Sequence, residues 1–278
     1  MSKPTTASTD KLQYEPGKLY DVGERAYRSH PGINFSTLKG MARSPQYYQY
    51  LLSGGFKATA SMSLGTAVHS LVLTPDAFDE EVAVTPEVNR RTNAGKETIK
   101  AFEAENKGKA IVTQEEYDRA QAMRDAVMND EHASAALGLA PLKEHMALWM
   151  WENGPLCKAK IDAHGEDTIV DLKTTADASI GTIRNRLTSF HYDAQLAFYA
   201  AGLKACGIEL KRHIFVFVES AAPHGVTVVE LSPQWIELAT GRIESWLTKV
   251  LDCTMNGKWE AGPGGVVYME PPAWMLPS

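Results

Sequence analysis

The sequence contains few cysteines and no long apolar run. Its three cysteines, Cys157, Cys206 and Cys253, lie far apart, which argues against a disulfide framework, an iron–sulfur cluster or a thiolate zinc site. No segment approaches the roughly 18 to 20 consecutive apolar residues that a membrane-spanning helix needs. The first 20 residues also lack the apolar segment of a signal peptide. We therefore expect a soluble, intracellular protein with no membrane partner.

The composition also lacks an excess of positive charge. The formal net charge is −6 and the isoelectric point is about 5.8, so any surface that binds a polyanion has to be a local one. At 278 residues with 44% hydrophobic content, the chain is long enough to bury a large core. A single folded domain is the expectation that follows.

Composition divides the chain into three parts. Residues 1–25 are polar, include Pro16 and Gly17, and are predicted to form a flexible arm. Residues 26–255 are predicted to form the folded domain. Residues 256–278 are predicted to be a tail that packs on the core or at a subunit interface.

Helical patterns come first along the domain and strand patterns follow. Helices are predicted near residues 62–73, 113–130, 190–205 and 233–252, with N-caps at Ser36, Ser44, Thr113 and Ser232. The segments HMALWMW, LCKAKIDA, TIVDLK, HIFVFVE and GVTVVEL are rich in β-branched and aromatic residues and predict strands. This order predicts an α/β (α+β) fold in one domain, with a mixed central sheet flanked by helices.

The segment KAKIDAHGEDTIVDLKTT, residues 158–175, carries two aspartates and a lysine on a predicted hairpin. Alternate side chains of a strand share a face, so Asp171 and Lys173 point the same way. A turn centred between Glu166 and Asp167 puts Asp162 opposite Asp171, with Cβ atoms roughly 4.5–5.5 Å apart. Two facing carboxylates repel unless a proton or a cation lies between them, and a hard divalent metal is a common solution. The alternative is a solvated strand face with an ordinary salt bridge.

Several other side chains can also be interpreted either as part of a functional site or as ordinary packing residues. Tyr192, Gln195 and Tyr199 share one face of a predicted helix, and they either belong to a site or are core residues with satisfied hydroxyls. His69 lies beside an apolar helical stripe and is either a metal ligand or a hydrogen-bonded packing residue. Glu144 starts a predicted strand and is either a ligand or an exposed edge charge.

Four motifs in order, GTAVH (65–69), KAKID (158–162), VDLKTT (170–175) and DAQLAFY (193–199), resemble the motifs of the PD-(D/E)XK nuclease superfamily. A helix histidine, an aspartate, a D-x-K and a Q-x-x-x-Y are similar to its RecB-like branch. SPQYYQYLL, SLGTAVHSLVLTPDAF and RRTNAGKE resemble the exonuclease VIII (RecE) group and its phage relatives. Four motifs in one order are more specific than any one of them. One departure is that Ile161-Asp162 stands where the superfamily's namesake motif has Pro-Asp.

This resemblance implies a restriction-endonuclease-like core over residues 26–255 and a DNA exonuclease that uses Mg²⁺, which Mn²⁺ can replace. The metal ligands that it implies are His69, Glu144, Asp162, Asp171 and the carbonyl of Leu172. The catalytic residues that it implies are Asp162, Asp171, Lys173, Gln195 and Tyr199. Lys173 would hold or help to deprotonate the attacking water, while Gln195 and Tyr199 would brace the site and contact the DNA end.

The resemblance also implies degradation of double-stranded DNA ends from 5′ to 3′, which leaves a 3′ single strand for a RecT-like annealing protein. It implies a ring-shaped homo-oligomer, in which only the channel needs positive charge, and a cytoplasmic location in a bacterial or phage-infected cell. Each charged candidate for DNA contact can equally be a solvated surface charge. The candidates are Arg90, Arg91, Lys96, Lys158, Lys160, Thr174, Arg184, Arg186 and Tyr192.

Other functions stay open at this point. A nuclease of the same fold can act on single-stranded or branched DNA in repair, because none of these residues fixes polarity. A DNA-binding module that has lost catalysis is disfavoured by the joint presence of Asp162, Asp171 and Lys173. A small-molecule phosphohydrolase is disfavoured because no glycine-rich phosphate loop is present, the GPGG at 262–265 being typical of a turn.

Overall fold

Helices dominate the first half of the chain, and most strands of the main sheet lie in the second half. The computed structural model describes residues 14–55, 59–152, 154–262 and 265–271. The strands are β1 (Lys18–Tyr20), β2 (Val82–Val84), β3 (Ala110–Val112), β4 (Leu142–Met150), β5 (Leu156–His164), β6 (Thr168–Thr175), β7 (Arg212–Glu219) and β8 (Val226–Glu230). The α-helices are α1 (Glu24–Ser29), α2 (Phe35–Leu38), α3 (Pro45–Leu52), α4 (Ala60–Leu73), α5 (Phe78–Glu81), α6 (Asn93–Glu105), α7 (Gln114–Asn129), α8 (Glu131–Leu139), α9 (Ile180–Ser189), α10 (Tyr192–Ala205) and α11 (Pro233–Asn256).

The central sheet has six strands in the order β1-β4-β5-β6-β7-β8. All neighbours are antiparallel except β6 and β7, which are parallel and are joined by the crossover through α9 and α10. Strands β2 and β3 form a separate parallel pair. The predicted mixed sheet, flanked by helices in a single domain, is confirmed.

Helices cover both faces of the sheet. On one face, α9, α10 and α11 pack against a core that includes Ile161, Ile169 and Phe215. On the other face, α4, α7 and α8 pack against a core that includes Val170 and Leu172. The alternation along β6 is as predicted, because Val170 and Leu172 lie on the face opposite Ile169. None of the described helices is both long and apolar enough to cross a bilayer.

Most of the predicted helix starts are found where the capping residues place them. Ser44 accepts a hydrogen bond from Tyr47 at the start of α3, and Ser232 caps α11. Thr113 and Glu116 form the predicted capping box of α7. The predicted cap at Ser36 is wrong, because Asn34 accepts the capping bond from Thr37.

The predicted flexible arm over residues 1–25 is wrong for its last part. Strand β1 pairs with β4 in the central sheet, and α1 follows directly. A short apolar strand can be held this way despite its polar neighbours because the sheet edge offers unpaired backbone groups. Residues 1–13 lie outside the described residues.

The predicted tail, residues 256–278, begins at the end of α11. Trp259 stacks on Tyr48 of α3 with ring centroids 5.6 Å apart, and the carbonyl of Glu260 accepts a hydrogen bond from the Gln46 amide at 3.1 Å. The start of the tail therefore packs on the core. Residues 263, 264 and 272–278, with Trp274 among them, lie outside the described residues.

Candidate active site

Strands β5 and β6 diverge soon after their hairpin, and this divergence opens the sheet. They share only the pairs Ala163↔Val170 and His164↔Ile169, whereas β5 pairs with β4, and β6 with β7, along most of their lengths. These two pairs match the turn centre that was assumed for the hairpin, between Glu166 and Asp167. Nearer the start of β5, the edge that β6 has left is occupied by Ile33, whose carbonyl accepts from the Lys158 amide at 2.9 Å.

Asp162 lies at the point where the strands separate. Its carboxylate oxygen Oδ2 accepts a hydrogen bond from the Leu172 amide at 2.9 Å. In a regular sheet this amide would donate to a main-chain carbonyl of the neighbouring strand. Extending the register by one pair places Asp162 opposite Asp171. The two aspartates therefore lie at the same level of the opening, as predicted, although the strands no longer pair there.

Asp171 and Lys173 form a buried ion pair on the face of β6 that α10 covers. The Asp171 side chain is 1% exposed and the Lys173 side chain 13%, and the Lys173 ammonium contacts Asp171 Oδ2. Burial raises the pKa of Asp171 to about 6, with Lys173 lowering it and Asp162 raising it further. Burial alone would lower the pKa of Lys173, but the carboxylates of Asp171 and Asp162 outweigh that effect and raise it. Lys173 is therefore charged at neutral pH.

His69, Glu144 and Asp162 bring one ligand atom each to within 4.8 Å of one another. They come from α4, β4 and β5, and His69 Nδ1 lies 3.5 Å from Asp162 Oδ2. Asp171, also predicted as a ligand, does not belong to this group of three and contacts Lys173 instead. Leu172 contributes its amide to Asp162.

Glu144 is not the exposed edge charge that the sequence left open. The Glu144 side chain is only 19% exposed, although β1 pairs with β4 only from Met146 to Leu148. Its backbone is left-handed, with φ 56°, a conformation that costs a non-glycine residue energy. Burial and the charge of Asp162 raise the pKa of Glu144 to about 7, against the lowering effect of Lys160.

The donor set fits a divalent cation. Carboxylate oxygens suit Mg²⁺ and Mn²⁺, and an imidazole nitrogen is acceptable to Mn²⁺. Of the two oxygens of the buried Asp171 carboxylate, Oδ2 contacts the Lys173 ammonium, and Oδ1 accepts no hydrogen bond from the described residues. A cation between Asp162 and Asp171 would offset their repulsion and would give Oδ1 a partner.

Gln195 and Tyr199 meet on α10, as predicted from their spacing. The Gln195 amide donates to the Tyr199 hydroxyl at 2.8 Å, and Tyr199 is buried. Burial raises the pKa of Tyr199, and the nearby Tyr27, Asp171 and Asp162 raise it further. The phenol is therefore neutral and lies close enough to both aspartates for their charges to act on it.

Tyr192 and Thr174 lie on opposite sides of β6. The Lys173 ammonium lies 5.1 Å from the centre of the Tyr192 ring, a cation–π contact that leaves this ring at the site. Thr174 points towards α4, where its hydroxyl lies 3.5 Å from the position of a Cβ on Gly65. The Tyr192 ring therefore contacts the Lys173 ammonium, whereas the Thr174 side chain lies on the other face of the strand.

Two lysines predicted to contact DNA are engaged within the protein. Lys158 is 3% exposed, and its ammonium bonds to the carbonyls of Tyr27, at 2.8 Å, and His30. Lys160 is paired with carboxylates and its side chain is 11% exposed. The prediction that they line a DNA channel is therefore corrected: the segment that precedes α2 covers this part of β5 and buries both side chains.

The remaining basic candidates lie on the surface, apart from one that is half-buried. Arg90, Arg91 and Lys96 are exposed at the start of α6, and Arg184 is exposed on α9. Arg186 donates to the Thr175 hydroxyl at the end of β6. Arg186 is thus tied to the strand that carries Lys173, and the other four stay candidate contacts.

Three site residues were missed in the sequence. Glu24 and Tyr27 belong to α1, and Glu81 ends α5. Glu24 and Glu81 both pair with Lys160, and the phenol of Tyr27 acts on the pKa of Tyr199. No spacing rule could have found them, because Glu24 and Tyr27 fall at the boundary of the predicted arm and Glu81 lies among other acidic residues.

The split sheet, the Asp-x-Lys on β6 and the preceding aspartate on β5 define a protein of the PD-(D/E)XK class. The chain belongs to the family described as PDDEXK-like domain of unknown function (DUF3799), whose model matches residues 34–271. The structure is similar to a crystal structure of a presumed exonuclease from Eubacterium rectale, with a TM-score of 0.62 and 16% sequence identity. The match covers 92% of this chain and 97% of that one. No curated protein matches the chain. The family and the fold support a nuclease.

Proposed function

We propose that this protein is a metal-dependent exodeoxyribonuclease that degrades double-stranded DNA ends, in the 5′ to 3′ direction. The observation that carries the proposal is the group of His69, Glu144 and Asp162 within 4.8 Å of one another, beside the buried pair of Asp171 and Lys173. An imidazole, several carboxylates and a charged lysine at one opening suit the hydrolysis of a phosphodiester.

His69, Glu144 and Asp162 would hold the divalent ion, with Asp171 next to them. When bound, Mg²⁺ or Mn²⁺ supplies positive charge that neutralises the phosphate and lowers the pKa of a water molecule. Asp162 carries out a second task, because its hydrogen bond to the Leu172 amide fixes the carboxylate relative to β6. The ligands are therefore held on strands and a helix rather than on mobile loops.

Lys173 acts as a cation rather than as a base. Its raised pKa keeps the ammonium protonated at neutral pH, so it can donate a hydrogen bond to a phosphate oxygen or to the attacking water. Charge on phosphorus increases in the transition state, and a pre-positioned donor is worth most there. The contact with Asp171 orients the ammonium, and Tyr192 covers it from the side of α10.

The substrate and partners follow from the resemblance to the exonuclease VIII group. Digestion of one strand would leave a 3′ single strand, which a RecT-like annealing protein would use in recombination. A ring of subunits around the duplex would allow processive digestion by a protein with a net charge of −6, since only a local surface has to be basic. The Eubacterium rectale protein is described as a presumed exonuclease, and an exonuclease needs a free DNA end.

The test is digestion of a linear duplex labelled on either the 5′ or the 3′ end of one strand, with Mg²⁺ and with EDTA. A covalently closed circle and a single-stranded oligonucleotide are run beside it. We expect early release of 5′ label, no cleavage of the circle and no activity in EDTA. Cleavage of the circle, or early release of 3′ label, would contradict the proposed end requirement or polarity. Preference for the single strand would favour the repair alternative.

A further inference from the structure

The ammonium of Lys160 lies among three carboxylates that come from three different elements. Its Nζ is 2.8 Å from Glu144 Oε2, 3.2 Å from Glu24 Oε2 and 3.5 Å from Glu81 Oε1. The side chain is 11% exposed, so this is not a solvated surface charge. Glu24 belongs to α1, Glu81 to α5 and Glu144 to β4.

This carboxylate group adjoins the candidate metal centre, because Glu144 belongs to both. On one side Glu144 meets His69 and Asp162, and on the other it accepts the Lys160 ammonium. Three carboxylate oxygens converge on the Lys160 ammonium, but they do not all lie within 4.8 Å of one another. They would have to move inward to bind a hard divalent ion, whose oxygen ligands lie at about 2.0 to 2.6 Å. Here a lysine ammonium occupies the middle of that set.

We propose that Lys160 is an internal cation that takes the place of a second divalent ion, so that the centre binds one ion per chain. By holding Glu144 against β5, Lys160 also positions that carboxylate for the ion at His69 and Asp162. The inference rests on the proposed function only in placing a metal at that neighbouring group. Under this proposal, the number of divalent ions that the chain binds depends on the Lys160 side chain.

Lys158 provides a matched comparison within the same strand. It stands two residues before Lys160 in β5, and its ammonium is also buried. Its partners are the carbonyls of Tyr27 and His30 rather than carboxylates. Loss of Lys158 leaves uncharged groups behind, whereas loss of Lys160 leaves three carboxylates around an empty position.

The experiment counts Mn²⁺ ions bound to the full chain in the absence of DNA, by electron paramagnetic resonance of free Mn²⁺ during titration. The variants are Lys160→Met, Lys160→Arg and the control Lys158→Met. We expect one ion per chain for wild type, Lys160→Arg and Lys158→Met, and two for Lys160→Met. One ion in both wild type and Lys160→Met, or two in both, would overturn the proposal.

Thermal unfolding in the same titration keeps the test decisive if Lys160→Met is unstable. A second ion that binds only the folded state raises the melting temperature further, so saturating Mn²⁺ should shift Lys160→Met upward by more than it shifts wild type. If Lys160→Met stays unfolded, the double variant with Glu24→Gln removes one carboxylate, and it should still bind one ion more than wild type. Equal binding by this double variant and wild type would overturn the proposal.

The outcome is separable from that of DNA digestion. A wild-type protein that cuts no DNA but gains an ion on Lys160→Met would contradict the proposed function and support the role of Lys160. If wild type digests DNA and Lys160→Met binds no additional ion, the proposed function is supported and the role of Lys160 is contradicted.

Discussion

Asp162 Oδ2 accepts a hydrogen bond from the Leu172 amide at 2.9 Å, across the opening between β5 and β6. The side chain thereby caps the end of the shared ladder, and the same carboxylate lies 3.5 Å from His69 Nδ1. One aspartate thus holds the two strands in their diverging arrangement and contributes to the candidate metal centre. Variants of Asp162 can therefore separate its effect on folding stability from its effect on metal binding.

Asp162→Asn keeps an acceptor for the Leu172 amide and removes the charge that acts on Asp171. We expect its metal-free stability to equal or exceed that of wild type, because a repulsion is lost. Asp162→Ala leaves the amide unpaired and should cost about 1–3 kcal/mol. Urea unfolding in EDTA measures both. Equal stability of the two variants would contradict the structural role, and undiminished Mn²⁺ binding by either would contradict the ligand role.

Asp171 should make the metal-free protein less stable as pH rises. Burial raises its pKa from 3.8 to about 6, so between these values the folded state holds a proton that the unfolded state has lost. Stability from this group is therefore complete below about pH 4 and declines as the pH rises through about 6. Asp171→Asn should be the more stable protein at pH 7 and should match wild type near pH 4. Parallel pH profiles in EDTA would contradict this account.

Asp193 and Arg242 form an ion pair that joins the start of α10 to α11, with the aspartate buried and the arginine side chain 33% exposed. Asp193 is 1% exposed and accepts from Arg242 at 3.0 Å and from the Trp235 indole at 3.1 Å. Arg242→Met leaves a buried carboxylate without its partner and should cost about 3–5 kcal/mol. Adding Asp193→Asn should restore part of that loss. A simple sum of the two single effects, measured by urea unfolding, would contradict coupling between them.

Arg90 and Arg91 stay candidate DNA contacts. If both neutralise phosphates, replacing each with alanine should reduce the slope of log K against log salt by about 1 per contact, without changing sequence preference. Fluorescence anisotropy with a duplex oligonucleotide in EDTA measures the slope. Arg119→Ala is the control, because Arg119 pairs with Glu115 on α7. Equal slopes for all proteins would remove Arg90 and Arg91 from the DNA surface.

The hairpin shows how far local patterns predict this site. The turn centre between Glu166 and Asp167 was assumed, and with that assumption strand alternation placed Asp162 and Asp171 at the same level. The divergence of β5 and β6 was not predictable. Where the strands separate, the Asp162 carboxylate accepts the hydrogen bond of the Leu172 amide in place of a main-chain carbonyl. Of the predicted side-chain ligands, His69, Glu144 and Asp162 lie together, and Asp171 lies beside them in contact with Lys173.

The lysines of β5 show the other limit. Alternation correctly put Lys158 and Lys160 on one face, but the sequence could not show that α1 and the residues after it cover that face. The burial of Lys158 comes from contacts with residues more than a hundred positions away, such as Tyr27, and that of Lys160 from carboxylates of three other elements. Such contacts cannot be predicted from local residue spacing. For this reason Lys158 and Lys160, which are buried within the protein, were predicted to bind DNA.

The central claim is that Lys173 and its neighbours cleave DNA, and single-turnover digestion of a linear duplex in Mg²⁺ tests it most directly. The comparison is Lys173→Met against Lys211→Met, which removes an exposed lysine paired with Asp167. We predict that Lys173→Met loses cleavage by about 100-fold or more while it still binds duplex, and that Lys211→Met matches wild type. Cleavage by Lys173→Met within about threefold of wild type would contradict the account.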